Sequence, residues 1–158
     1  MKTIITERMT AQIDKEVVVF LIGMRINRLW KIHKWLPVVL AMPKMLKELA
    51  ATEDSGLLGV ESWFGNPSIM VQYWKSFQHL EDFARNNKQT HIPAWRAFNQ
   101  AIGSNGDVGI WHETYVVKPG TYECVYHNMP PFGLAKATKA VVASGKLASA
   151  AGRLSNIE

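Results

Sequence analysis

A chain of 158 residues with 47% apolar and 20% charged side chains has the make-up of one folded domain, long enough to bury a sizeable core. Its formal charge of +5 comes from scattered Lys and Arg, with no basic run interleaved with stacking aromatics, so no nucleic-acid partner is expected. The single cysteine, Cys124, excludes an internal disulfide and a multi-cysteine metal site, and fits a reducing, cytoplasmic setting.

Residues 1–15 carry Lys2, Glu7, Arg8, Asp14 and Lys15, show no secretory pattern and no strong period, and read as an arm. The β-branched run 17–22 predicts a buried strand, with Gly23 and Met24 extending it and Arg25, Asn27 and Arg28 as polar groups past its end. A helix follows. Pro37 suits a first helical position, and Val38, Leu40, Ala41, Met45, Leu46 and Leu49 recur at helical spacing, with Pro43 splitting or kinking the segment. The segment 30–49, with its Lys and Trp, reads as a buried amphipathic helix rather than a membrane-surface one. Nothing approaches the roughly 20 apolar residues of a bilayer span, and membrane contact is not expected.

Residues 57–64 and 68–74 read as two strands joined at Gly65-Asn66-Pro67 into a hairpin. Ser76 can cap the next helix, whose apolar side is Phe77, Leu80, Phe83 and Ala84. His79 reads as exposed. Thr90-His91-Ile92-Pro93 opens another helix with Trp95, Phe98, Ala101 and Ile102 as its stripe. After a loop at 103–107, residues 108–117 form a fourth strand, stopped by Lys118-Pro119-Gly120. Residues 121–131 continue extended or irregular. From Leu134 the Ala, Lys, Ser and Gly content predicts a weak helix at most, partly disordered at the end. The order is β-α-β-β-α-β: an α+β, ferredoxin-like single domain over 1–158, with its core at 17–131 and an antiparallel sheet covered by helices on one face. The uncovered face invites a second copy, and a homodimer sharing a barrel-like core is the expected assembly.

The chemistry is concentrated in 109–131, 23 residues that hold His112, His127, Tyr115, Tyr122, Tyr126, Glu113, Glu123, Trp111 and Cys124. Strand alternation puts Gly109, Trp111, Glu113 and Tyr115 on one face and Ile110, His112, Thr114 and Val116 on the other. His112 and Glu113 therefore cannot serve one cavity unless the strand is bulged. If Thr90 caps the helix and Pro93 lies in its first turn, His91 sits at the positive end of the helix dipole, which favours a neutral ring able to act as a general base or as a metal or haem ligand. Otherwise it is a surface residue or loop anchor. No His-x-x-x-His, Gly-x-Gly-x-x-Gly, Gly-Lys-Ser/Thr or Gly-x-Ser-x-Gly pattern occurs, which argues against zinc, nucleotide and acyl-serine chemistry. The six Trp fill a core or line a cavity for an apolar ligand.

Several strings together resemble one family. They are Gly23-Met24-Arg25-Ile26-Asn27-Arg28 with Trp30 and Trp35-Leu36-Pro37; Met42-Pro43-Lys44-Met45-Leu46-Lys47-Glu48-Leu49; and Tyr73-Trp74-Lys75-Ser76-Phe77 with Leu80, Phe83, Ala84 and His91. Gly109-Ile110-Trp111-His112-Glu113-Thr114-Tyr115 and Asn128-Met129-Pro130-Pro131 complete the pattern. The chain resembles small bacterial and fungal proteins grouped with the monooxygenase of fumagillin biosynthesis, within the dimeric α/β barrels. The resemblance implies a monooxygenase-like oxidoreductase acting on a small apolar or aromatic molecule in a pocket between sheet and helices. It implies catalytic roles for His112, Glu113, Arg25, Asn27 and Tyr115, and cofactor contacts at Trp74, Trp95 and His91, with His91 as the ligand if haem is used. A non-enzymatic ligand- or haem-binding dimer, and a lyase or isomerase on the same scaffold, are the alternatives it leaves open.

Overall fold

The computed structural model describes residues 3–40, 55–85 and 105–154. Four strands build the main sheet: β2 (Val17–Ile26), β3 (Leu57–Trp63), β4 (Ile69–Trp74) and β5 (Val108–Val117). Their spatial order is β3-β4-β2-β5 with every neighbour antiparallel, which is the ferredoxin-like arrangement expected from the sequence. β2 sits inside the sheet because its β-branched run is apolar on both sides. Val17 packs on one face and Val18 on the other.

One face carries the helices. Here α2 (Phe77–Arg85) lays Leu80 and Phe83 against Val18 and the fully buried Trp74, whose ring centroid is 5.3 Å from that of Phe83. Trp74 also donates its indole N–H to Gln72 Oε1 at 3.0 Å, so a buried amide and a buried indole satisfy each other. Ser76 accepts the His79 backbone N–H at 3.4 Å, the capping role its position predicts. The apolar side of α2 is narrower than its spacing suggests, since Phe77 and Ala84 face solvent. His79 is half-buried rather than exposed: it bonds Ser76 through Nδ1 at 2.7 Å and its ring lies where a Cβ on Gly56 would stand.

At the other end of the same face, residues 32–40 are helical (α1) and press Trp35 and Val38 onto Val108, Met24 and Ile110. Pro37 lies inside this helix, not at its start, because the helix opens five residues earlier. The predicted stripe beyond residue 40, with Pro43, lies outside the described residues, as does the helix expected from Thr90. The hairpin tip between β3 and β4 is fastened to the end of β2. Asn66 exchanges two bonds with Ile26 (2.8 and 2.9 Å), and the Ser68 backbone N–H donates to the Met24 carbonyl at 2.8 Å. Gly23 is required there: a Cβ would sit 2.0 Å from the Ser68 carbonyl oxygen.

The arm and the tail differ most from their sequence reading. β1 (Met9–Gln12) pairs antiparallel with β6 (Lys139–Val142) into a second, two-stranded sheet. With α3 (Gly133–Ala137) it covers the sheet's other face around Val17, Tyr73 and Val117. The tail continues through a 3-10 turn (Gly145–Ala148) into α4 (Ala150–Arg153). Buried Arg153 clasps Glu123 through Nε at 2.8 Å and the Leu147 carbonyl at 2.7 Å. A tail read as a weak helix is instead tied to the core by a charge-assisted bond and a strand pairing.

Candidate functional site

The pairing of β2 with β5 runs without a slip from Val17↔Val117 to Ile26↔Val108, so strict alternation holds along β5. His112 is therefore on the helix face, opposite Ile22 and 5.7 Å from Phe20 ring to ring. Glu113 and Tyr115 are on the other face, opposite Leu21 and Val19. No bulge interrupts β5, so His112 and Glu113 lie on opposite faces of the sheet, as the alternation predicts. Arg25 faces the same side as Glu113, opposite Gly109 at the far end of the strand. Asn27 lies past the end of β2 and spends its amide N–H on the Gly106 carbonyl at 3.1 Å.

Two candidate surfaces result. On the helix face, Phe20, Ile22, Met70, Gln72, His112 and Thr114 lie between the docking sites of α1 and α2. Gln72 is buried and already engaged with Trp74 and with Met70 Sδ at 3.2 Å, whereas His112 is exposed. An exposed imidazole over an apolar floor can take a proton from a bound carbon acid or face a flat apolar group. Among the described residues no three His, Cys, Asp or Glu gather to hold a bare metal ion. The expected haem ligand His91, and Trp95, lie outside the described residues. Trp74 belongs to the packed core beneath α2.

On the outer face, Tyr115 donates to Glu113 Oε2 at 2.5 Å. That bond and the carboxylate's charge push the phenol's pKa up. Trp111, beside them on the same face, buries its indole N–H with no acceptor. The rest of the aromatic cluster at 122–126 builds structure. Tyr122 Oη donates to the Ala11 carbonyl at 2.9 Å and accepts from Ile13 N at 3.1 Å, while Cys124 takes the Ala11 N–H at 3.4 Å. Burial beside Cys124 pushes the Tyr126 phenol up, and Tyr73 is raised by burial and by Glu61. His127 and Asn128 are exposed.

Asp107, a loop residue by its sequence, is the most enclosed carboxylate described, 1% exposed. It pairs with Arg28 at 2.9 Å and Lys31 at 2.7 Å, and its carbonyl takes the backbone N–H groups of Asn27 and Arg28. The Lys31 hydrogen bond, with the charges of Lys31, Arg28 and Lys34, holds its pKa below the usual carboxylate value against the opposing effect of burial. It clasps the start of α1 to the start of β5 and so sets one wall of the helix-face surface. Its only signal in the sequence is a carboxylate beside the strand, with cations at 28 and 31.

The family model described as Monooxygenase af470-like matches residues 17–134. A relative named "Monooxygenase af470", from Aspergillus fumigatus (strain ATCC MYA-4609 / CBS 101355 / FGSC A1100 / Af293), is 32% identical over 94 residues, 56% of this chain and 33% of the relative. The match thus spans about a third of that relative's length. Among solved structures, an aldoxime dehydratase in complex with butyraldoxime superposes with a TM-score of 0.57 at 15% identity, over 87% of this chain and 38% of that one. At that identity the likeness is one of fold. Matched over the whole four-stranded sheet and both faces of β5, the chain belongs to the Monooxygenase af470-like family.

Proposed function

We propose that the protein is a monooxygenase-like oxidoreductase whose substrate, a small apolar or aromatic molecule with an acidic C–H, binds on the helix face of the sheet with His112 as its general base. Family membership supports the reaction class. The observation that carries the site is the exposed His112 ring beside Phe20, over a floor of Ile22 and Met70 between α1 and α2. In the cofactor-independent version His112 removes a proton from an activated CH₂. The carbanion passes an electron to O₂, the resulting radicals combine into a hydroperoxide, and loss of water leaves C=O. One oxygen atom enters the product and the other leaves in water, so no further reductant is needed. Proton removal by a placed imidazole contributes typically about 10²–10⁴-fold. In the haem-dependent version His91 would hold the iron and His112 would be a candidate to move a proton near bound oxygen, with the haem supplying oxygen activation.

Homodimerisation belongs to the same reading. The outer face beyond the cover of β1, α3 and β6 carries half-buried Val19, Leu21, Ile69 and Val71 with exposed Tyr115 and Trp63. A second sheet would cover it. The test is oxygen consumption with a panel of activated phenols and enols, run beside the absorption spectrum with and without added hemin. Oxygen-dependent turnover lost in His112→Ala supports the reading. Turnover that is indifferent to His112, or that proceeds without oxygen as a lyase or isomerase would, overturns it. A Soret band that disappears in His91→Ala selects the haem version.

A further inference from the structure

Removing a proton from carbon pushes negative charge onto a conjugated oxygen, and a hydrogen-bond donor aimed at that oxygen lowers the barrier. On the helix face such a donor has to stand near His112. Arg25 and Tyr115 lie on the opposite face, where the Tyr115 hydroxyl donates to Glu113, and the Asn27 amide donates to the Gly106 carbonyl. Of the side chains that β2, β4 and β5 turn to the helix face, those with a nitrogen or oxygen are Trp74, Gln72, His112 and Thr114. Trp74 and Gln72 are buried and bonded to each other at 3.0 Å, and the Gln72 amide N–H goes to Met70 Sδ. Thr114 is exposed, and its hydroxyl engages none of the described residues.

Thr114 and His112 are two positions apart on β5, so their side chains leave the same face about 6–7 Å from each other along the strand. The register places Thr114 opposite Phe20 and His112 opposite Ile22, and the Phe20 ring stands 5.7 Å from the His112 ring. An imidazole, a hydroxyl and an aromatic ring thus border one patch of the face. A flat molecule resting on Phe20 presents its edge to both polar groups. Threonine suits the position twice: its β-branch fits an edge strand, and its hydroxyl supplies a donor that carries no charge.

We propose that Thr114 is a second catalytic residue of the helix face, donating its hydroxyl to the oxygen of an enolisable aryl ketone while His112 removes the α-proton. The inference rests on the reading of His112 as the general base and narrows the substrate class to molecules whose acidic C–H is conjugated with a carbonyl. In the step, the α C–H bond breaks and its electron pair forms the enolate C=C. The carbonyl π pair moves onto oxygen, the proton goes to the imidazole, and the Thr114 O–H stays intact as a hydrogen-bond donor. Reaction with O₂ follows from the enolate and does not involve Thr114.

The test separates this step from oxygen chemistry. The full chain is incubated under nitrogen in deuterated buffer with 2-tetralone, and α-deuterium exchange above the rate in buffer alone is followed by proton NMR. Thr114→Val, which keeps the β-branch and removes the hydroxyl, is expected to lose about 100-fold in kcat with KM little changed, and Thr114→Ser to keep most of the rate. Bound 4-nitrophenol reads the same donor without turnover: the wild type is expected to ionise it at lower pH than Thr114→Val does. Circular dichroism of both variants checks the fold. Full exchange in Thr114→Val with exchange lost in His112→Ala overturns the inference and leaves the base assignment standing. Exchange indifferent to His112, or no acceleration by the wild type, overturns the base assignment and the inference with it. Equal losses in Thr114→Val and Thr114→Ser also overturn the inference, since the hydroxyl is then not what matters.

Discussion

The two faces of the main sheet are made from the same strands and end in different states. The helix face is sealed at both ends, by Trp74, Val18 and Leu80 under α2 and by Val108, Met24 and Trp35 under α1, with His112 open between them. The outer face is sealed at one end only, where Ala11, Ile13, Leu134 and Ala135 pack around Val17, and beyond that Glu113 and Tyr115 stand exposed. Period-two alternation sends neighbouring residues of β5 into these two settings. Adjacent positions such as His112 and Glu113 thus have separate chemistry, one over an apolar floor and the other bonded to a tyrosine. A dense polar stretch of sequence is not thereby one site.

The comparison can be broken most severely at its deepest point. Trp74→Ala, which empties a fully buried position and strips Gln72 of its donor, is expected to cost about 3–5 kcal/mol in chemical denaturation. On the opposite face Leu134→Ala should cost less, about 2–3 kcal/mol, because the arm-and-tail layer over it is small and can settle into the gap. If the two losses were reversed, the arm and tail rather than α2 would be the main support of the sheet.

His112→Ala and Glu113→Gln separate the faces by function. Turnover should fall about 100-fold or more in the first and change little in the second, measured as oxygen uptake. The clasp at Asp107 gives a pH test. Its folded pKa is depressed, so its stabilisation is complete above the unfolded carboxylate value and is lost as pH falls through the lower folded value. Wild type should therefore lose thermal stability on the acid side of the ordinary Asp range, whereas Asp107→Asn should start less stable at neutral pH and have a flatter acid limb. The smallest effect is expected at Tyr115. Its phenol should titrate above the ordinary tyrosine value by ultraviolet absorption, and Glu113→Gln should bring that titration back down.

Much of this architecture was legible in the residues. The four strands of the sheet, the hairpin at Asn66-Pro67, the Ser76 cap and the opposed faces of His112 and Glu113 all follow from β-branched runs, turn chemistry and alternation. β1 and β6 were not legible. Met-Thr-Ala-Gln and Lys-Ala-Val-Val are each four residues long, too short to show a period, and each becomes a strand only because the other lies beside it. The helix start differs from the local signal: Pro37 suits an opening, but Trp35 and Val38 find their core at Val108 and Ile110, and the helix begins where that packing needs it.

The sequence by itself determined the local and the periodic: which runs become strands, which face each strand residue takes, and the family to which the chain belongs, because these depend on near neighbours and on spacing. Only the tertiary structure decided what each face meets. It turned the tyrosines at 122 and 126 into struts and buried Asp107 under two cations to hold α1. It also left Trp30 in solvent. Burial and charge pairing depend on residues tens of positions away, as Lys31 on Asp107 and Arg153 on Glu123, and no local pattern encodes which of them will arrive.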